Sequence, residues 1–145
     1  MQQLNPLALD NQLCFPLYAA SKEIVRRYGP LLDKIGLTYT QYIAMMVLWE
    51  DKNVSVKQLG ERLHLDSGTL TPLLKKLEAK GLVTRTRSTE DERRVDISLT
   101  QEGKDLRSRA LSVPGSMAKC VPLEMEDALA LRDLLNKLLR NMEEE

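Results

Sequence analysis

The chain has 145 residues, of which 43% are apolar, 29% charged and 4% aromatic. This composition excludes collagen-like and disordered chains and predicts one soluble globular domain spanning 1–145. Lys and Arg number 21 against 21 Asp and Glu, so any attraction for nucleic acid or membrane must be local. The scarcity of aromatic residues argues against a β-sandwich and for a Leu-rich helical protein. Two Cys and one His cannot alone close a tetrahedral zinc site, and two Cys make no disulfide scaffold. No metal and no cofactor is expected. No apolar run reaches membrane-spanning length, and Met1–Asp10 has neither a basic n-region nor an apolar h-region. The expectation is a cytoplasmic chain with reduced thiols and no membrane partner.

The first helical pattern runs from about Leu9 to Asp33, with Leu13, Leu17, Ala20, Ile24 and Val25 at helical spacing. Pro16 lies inside it and predicts a kink, because a mid-helix proline removes one hydrogen bond and crowds the Gln12 carbonyl. Gly36 is the stop residue. A second helix is predicted from about Thr40, as N-cap, to Glu50, with Ile43, Val47 and Leu48 facing inward. Ser55 and Gln58 form a capping box that opens a short helix ending near Leu63. After a tight connection at His64–Asp66, Asp66 or Ser67 opens a helix to Lys80 with a Leu70, Leu73, Leu74, Leu77 stripe, and Gly81 ends it. Two short helices joined by a tight turn form a helix-turn-helix pattern.

Leu82–Ser88 and Arg94–Leu99 alternate partially around a charged tip and read as a β-hairpin. Thr100 caps a helix to about Leu111, and Pro114-Gly115 marks a bend. The last helix, about Leu123 to Met142, carries Leu131, Leu134, Leu135, Leu138, Leu139 and Met142. That stripe is wide for a lone surface helix and predicts a helix–helix interface between subunits.

Basic residues cluster where the helix-turn-helix meets the hairpin: Lys75, Lys76, Lys80, Arg85, Arg87, Arg93 and Arg94, against Glu78, Glu90, Asp91 and Glu92. The order helix, turn, helix, basic hairpin is the layout of a winged helix-turn-helix. It favours DNA binding over a merely solvated charged face. Ser67, Gly68, Thr69 and Thr71 are small or hydroxylated, which suits close approach to base edges and phosphates. Arg93 and Arg94 at the hairpin tip can reach a minor groove, with Asp91 holding the Arg93 guanidinium. His64 reads as a surface or phosphate-facing residue.

Asp91-x-Arg93 followed by Leu99-Thr100-x-x-Gly103 resembles the wing-to-helix signature of MarR-family transcriptional regulators. Asp10-Asn11-Gln12-Leu13-Cys14-Phe15, Leu37-Thr38-Tyr39-x-Gln41-Tyr42 and Leu65–Leu73 resemble the organic-hydroperoxide-resistance repressors within that family. The resemblance covers about Leu9 to Leu139. It implies a mainly α fold with a small β-hairpin: a winged-helix lobe over about 37–100, and dimerisation helices over about 5–35 and 101–145. Its implied partners are a second copy of the chain, a pseudo-palindromic double-stranded operator and an organic hydroperoxide as oxidant.

Read from the residues alone, Cys14 in an apolar helix is a buried structural thiol. The resemblance instead makes it the peroxide-sensing thiol, near a helix N-terminus that favours negative charge. Tyr28 and Tyr39 correspond to the two tyrosines that support the reactive sulfur from the partner subunit. Cys120 resembles the resolving thiol of the two-cysteine branch, placed on a mobile connection after Pro114-Gly115. Pro16 departs from the family pattern. Two rival readings stay open at this stage. One is a MarR-type regulator switched by a small aromatic ligand, and the other is a thiol-dependent peroxidase.

Overall fold

The structure is a computed structural model that describes residues 5–145. The elements in chain order are α1 (Cys14–Asp33), α2 (Tyr39–Glu50), β1 (Asn53–Ser55), α3 (Val56–Leu63), α4 (Ser67–Ala79), β2 (Val83–Arg87), β3 (Val95–Leu99), α5 (Gln101–Ala110), α6 (Val113–Cys120) and α7 (Met125–Glu143). A 3-10 turn at Leu9–Asn11 precedes α1. No helix among the described residues is long and apolar enough to cross a membrane.

The core lies between α2, α3, α4, α5 and the sheet. Met45, Leu48, Leu59, Leu70, Leu74, Leu77, Val83 and Ile97 are fully buried there. The expected α4 stripe is therefore the face that packs inward. Leu32, Ile35 and Leu37 anchor the end of α1 to this core. The sheet is antiparallel with order β1-β3-β2, and Ile97 on the central strand pairs with Val54 on one side and Arg85 on the other. The strand at Asn53–Ser55 was not expected, so the sheet has three strands instead of two. Three residues are too few to show alternation, and Ser55 both ends β1 and caps α3.

Local caps set the element boundaries. Ser55 and Gln58 form the expected capping box on α3. Asp66, not Ser67, caps α4 through its carboxylate and the Thr69 amide at 2.8 Å. Thr100 caps α5 through the Gly103 amide. On α2 the expected cap was Thr40, but Thr38 holds that role in a second capping box with Gln41. Gly36 and Gly81 adopt left-handed φ of 70° and 76° at the ends of α1 and α4, where a Cβ would be strained.

Two expectations about bends fail. Leu9–Asn11 forms a separate turn, so α1 begins only at Cys14 and Pro16 occupies its third position. The amide that Pro16 lacks would have no intrahelical partner there, so no kink results. Pro30 is the proline that sits inside α1. Pro114 and Gly115 lie in the first turn of α6 and do not mark a bend between elements.

Two helices remain outside the core. Leu32 is the one buried residue of α1, and α7 buries none. Leu13, Leu17, Ile24 and Val25 on α1, and Leu131, Leu134, Leu138, Leu139 and Met142 on α7, are all exposed. Large apolar side chains on two long helices face away from their own chain.

Gly103 explains why the Thr100-x-x-Gly103 spacing matters. A Cβ there would lie 2.1 Å from the Leu82 carbonyl oxygen, and the Gly103 carbonyl accepts the Trp49 indole N–H at 2.8 Å. Gly103→Ala must therefore push α5 off the sheet. The expected loss is about 2–3 kcal/mol of stability, read as a lower denaturation midpoint in urea.

Candidate nucleic-acid interface and thiol site

The first turn of α4 and the hairpin converge on an open groove of about 1410 Å³. Ser67 and Thr71 from α4, Arg85 from β2, and Asp91, Arg93 and Arg94 from the tip line it. Gly68, Thr69, Lys75 and Lys76 are exposed on α4 but do not line this groove. Ser55, Lys57 and His64 do; the sequence points to Ser55 only as a helix cap and to His64 as a surface or phosphate-facing residue. Lys57 gave no signal because it lies in the short α3, outside the basic run.

The cations in this region are not equivalent. Arg85 Nε donates to Glu78 Oε2 at 2.6 Å, which ties β2 to α4. Arg94 Nε donates to Asp96 at 2.7 Å, and that carboxylate raises the Arg94 pKa further above its ordinary value. Asp91 was expected to hold the Arg93 guanidinium. Instead its carboxylate accepts the Arg93 backbone amide at 3.0 Å and shapes the turn. No ion pair among the described residues engages the Arg93 guanidinium. Exposed pairs of this kind contribute little stability, and Arg93 at the tip and Arg87 at the end of β2 are in no ion pair among the described residues.

Asp66 shows how the start of α4 is fixed. Its carboxylate accepts hydrogen bonds from Thr69, which lower its pKa below the usual aspartate range. A depressed carboxylate stabilises the fold above its ordinary pKa, and this contribution fades as the pH falls through the native value. The cap is intact at neutral pH, and Ser67, Gly68 and Thr69 stay exposed at the start of α4.

His64, the one non-glycine residue with positive φ among the described residues, makes the turn between α3 and α4. Gly60 lets that turn close, because a Cβ there would meet the Leu65 carbonyl at 2.9 Å.

Cys14 is exposed and is the first residue of α1, so it is not a buried structural thiol. Tyr28 and Tyr39 do come together, and Tyr42 completes the cluster. Ring centroids lie 4.9 Å apart for Tyr28–Tyr39 and 5.7 Å apart for Tyr28–Tyr42. Tyr42 was missed as a member, although Leu37-Thr38-Tyr39-x-Gln41-Tyr42 contains it. Burial pushes all three phenols above the ordinary tyrosine range, and neighbouring rings add to this in Tyr28 and Tyr42. They are neutral hydrogen-bond donors at pH 7.

Cys14 and Tyr28 are separated by fourteen residues of one helix, or about 21 Å along its axis. The tyrosines therefore cannot touch the sulfur of their own chain. Cys120 is exposed, but it ends α6 and does not lie on a free connection. The Arg27 guanidinium donates to its carbonyl at 2.6 Å. That contact places Cys120 about 20 Å along α1 from Cys14 of the same chain.

Residues 26–109 match the transcriptional regulator SarA/Rot family. The organic hydroperoxide resistance transcriptional regulator of Bacillus subtilis is 49% identical over 94% of this chain and 92% of its own length. Reduced AbfR bound to DNA superposes with a TM-score of 0.80 at 32% identity, covering 94% of this chain and 93% of that one. Disulfide-formed AbfR gives a TM-score of 0.65 at 35% identity, covering 90% of this chain and 92% of that one.

Proposed function

This chain belongs to the MarR-type transcriptional regulators, in the organic hydroperoxide resistance branch, and we propose that it is a dimeric repressor that leaves its operator when Cys14 is oxidised. The DNA-binding lobe comprises about residues 37–100. The helices of about 5–35 and 101–145 form the dimer. Each protomer places α4 in a major groove and its hairpin tip, led by Arg93, against the flanking minor groove. Half-sites lie roughly 10 bp apart, one per protomer.

The observation that carries this reading is the separation of the thiol from its donors. An exposed Cys14 heads an apolar-faced helix, and the tyrosine cluster lies about four turns away on the same chain. Packing α1 against α1 of a second copy in antiparallel fashion brings each Cys14 towards the partner's cluster. Neutral phenols there donate to a thiolate without a formal cation.

The chemistry proceeds in two steps. The Cys14 thiolate attacks the outer peroxide oxygen of an organic hydroperoxide. An S–O bond forms, the O–O bond breaks, and the alkoxide leaves as an alcohol after taking a proton. The Cys120 thiolate of the other protomer then attacks the Cys14 sulfur. An S–S bond forms, the S–O bond breaks and hydroxide leaves as water. Within one chain the two thiols are too far apart for a bond that needs Cα atoms within about 7 Å, so the pairing is between subunits. Bringing them together requires the end of α6 to move relative to α1. The protein acts as a one-shot sensor reset by thiol reduction, not as a peroxidase.

A second reading rests on a polar cavity of about 400 Å³ between Leu31, Lys34, Ile35, Ser108, Arg109, Ser112, Val113 and Ser116. It is large enough for a small aromatic acid that would switch the protein without oxidation.

Two experiments test these assignments. Arg93→Ala should weaken binding and reduce the slope of log affinity against log salt by about 0.9, whereas an unchanged slope removes the tip from the interface. Cys14→Ser should bind DNA and ignore cumene hydroperoxide. Cys120→Ser should still form a sulfenic acid at Cys14 but give no covalent dimer on a non-reducing gel. A peroxide-induced dimer band from Cys14→Ser would contradict the mechanism. Release of Cys14→Ser by a small aromatic acid would favour the cavity reading.

A further inference from the structure

The tyrosine cluster and the DNA-reading helix pack on one shared apolar core, and one polar side chain also links them. Lys80 is the C-cap of α4. Its ammonium donates to the Gly36 carbonyl and, at 2.9 Å, to Gln41 Oε1. Gln41 is 97% buried, the complement of its 3% exposure. The same Oε1 accepts the Thr38 amide at 3.1 Å in the capping box of α2. Tyr39 sits between the two residues of that box. One ammonium thus joins the end of α1, the start of α2 that carries Tyr39, and the end of α4.

The link is specific in chemistry as well as place. The carbonyl of the left-handed Gly36 and a side-chain amide oxygen that already accepts one bond are engaged together by a single ammonium, which offers three donors. No other charged side chain bonds either oxygen among the described residues. The apolar contacts of α4 with α2 involve its Leu stripe, which is buried in the shared core. The polar contact at Lys80 is the one that senses the position of the Gly36–Gln41 junction.

We propose that Lys80 is the positioning residue that couples the tyrosine-bearing junction to the recognition helix. When the junction shifts, the ammonium loses one or both acceptors and the end of α4 is freed. The proposal deepens the redox reading above, and it predicts a reciprocal effect of DNA on the junction, since coupling between two sites acts in both directions.

The test uses the full-length protein and a fluorescein-labelled duplex selected from a random pool by the reduced wild type. The quantity measured is the ratio of Kd after and before cumene hydroperoxide. Lys80→Met keeps the apolar stem and loses the donor, Lys80→Arg keeps a donor, and Lys80→Leu, which also lacks a donor, substitutes if the Met variant does not fold. Lys80→Met should shrink the wild-type ratio at least tenfold. Its rate of Cys14 sulfenic acid formation and its salt slope in the reduced state should remain unchanged, and Lys80→Arg should restore most of the ratio. An unchanged ratio in Lys80→Met overturns the proposal. So does a salt slope reduced by one contact with the ratio intact, which would make Lys80 an ordinary phosphate contact.

A second readout needs no oxidant. Duplex binding should slow hydrogen exchange in the 33–42 segment of the wild type and leave it unslowed in Lys80→Met. Equal protection in both proteins contradicts the coupling. If peroxide fails to release even the wild type, the redox reading fails, and the exchange measurement still decides the role of Lys80.

Discussion

Two helices whose apolar faces have no cover in their own chain govern this structure. In α1 a single residue is buried, and in α7 none is, although both carry leucine at helical spacing. Hydrophobic burial contributes roughly 25 cal/mol per Å². Leaving so many large side chains in water, on nineteen- and twenty-residue helices, is not a stable arrangement for a free monomer. In the proposed dimer a second copy covers these faces, and the rest of the proposed mechanism follows from that pairing. The two recognition helices acquire a fixed spacing, and the thiol of one chain acquires the phenols of the other.

The DNA-binding lobe needs no such help. Its leucine stripe, three caps and short sheet close around one core. In the proposed complex the side chains left outside that core do the recognition. Asp66 and Asp91 both act on backbone amides, one at the start of α4 and the other at the hairpin tip. They fix where Ser67, Thr71 and Arg93 point without contributing charge attraction to a phosphate.

Most of the lobe was legible in the sequence because it rests on local rules. The Ser55–Gln58 box, the Thr100 cap, the α4 stripe and the glycine stops all depend on residues a few positions apart. The errors fell where local rules compete or fall silent. Thr38 and Thr40 both flank the start of α2, and Gln41 at the third position decides for Thr38. Pro16 looked like a kink because the apolar periodicity runs unbroken from Leu9, yet the helix proper starts five residues later. β1 is too short to signal itself, and its existence depends on pairing with β3. Cys14 exposure has no local signature, since an apolar helix predicts burial by its own chain. The Lys80 link joins residues 44 and 39 positions apart and has no sequence signature at all.

The central claim is that each thiol works with the tyrosines of the other protomer, and mixed dimers measure this directly. One chain would carry Cys14→Ser with its tyrosines intact, and the other would keep Cys14 but carry Tyr28→Phe and Tyr39→Phe. The rate of Cys14 sulfenic acid formation in the isolated heterodimer is the observable. If the site is built across the interface, the single remaining Cys14 meets intact phenols and reacts at the wild-type rate per thiol. If it reacts as slowly as in the homodimer of the Tyr28→Phe, Tyr39→Phe chain, the phenols act within their own chain and the proposed architecture is wrong.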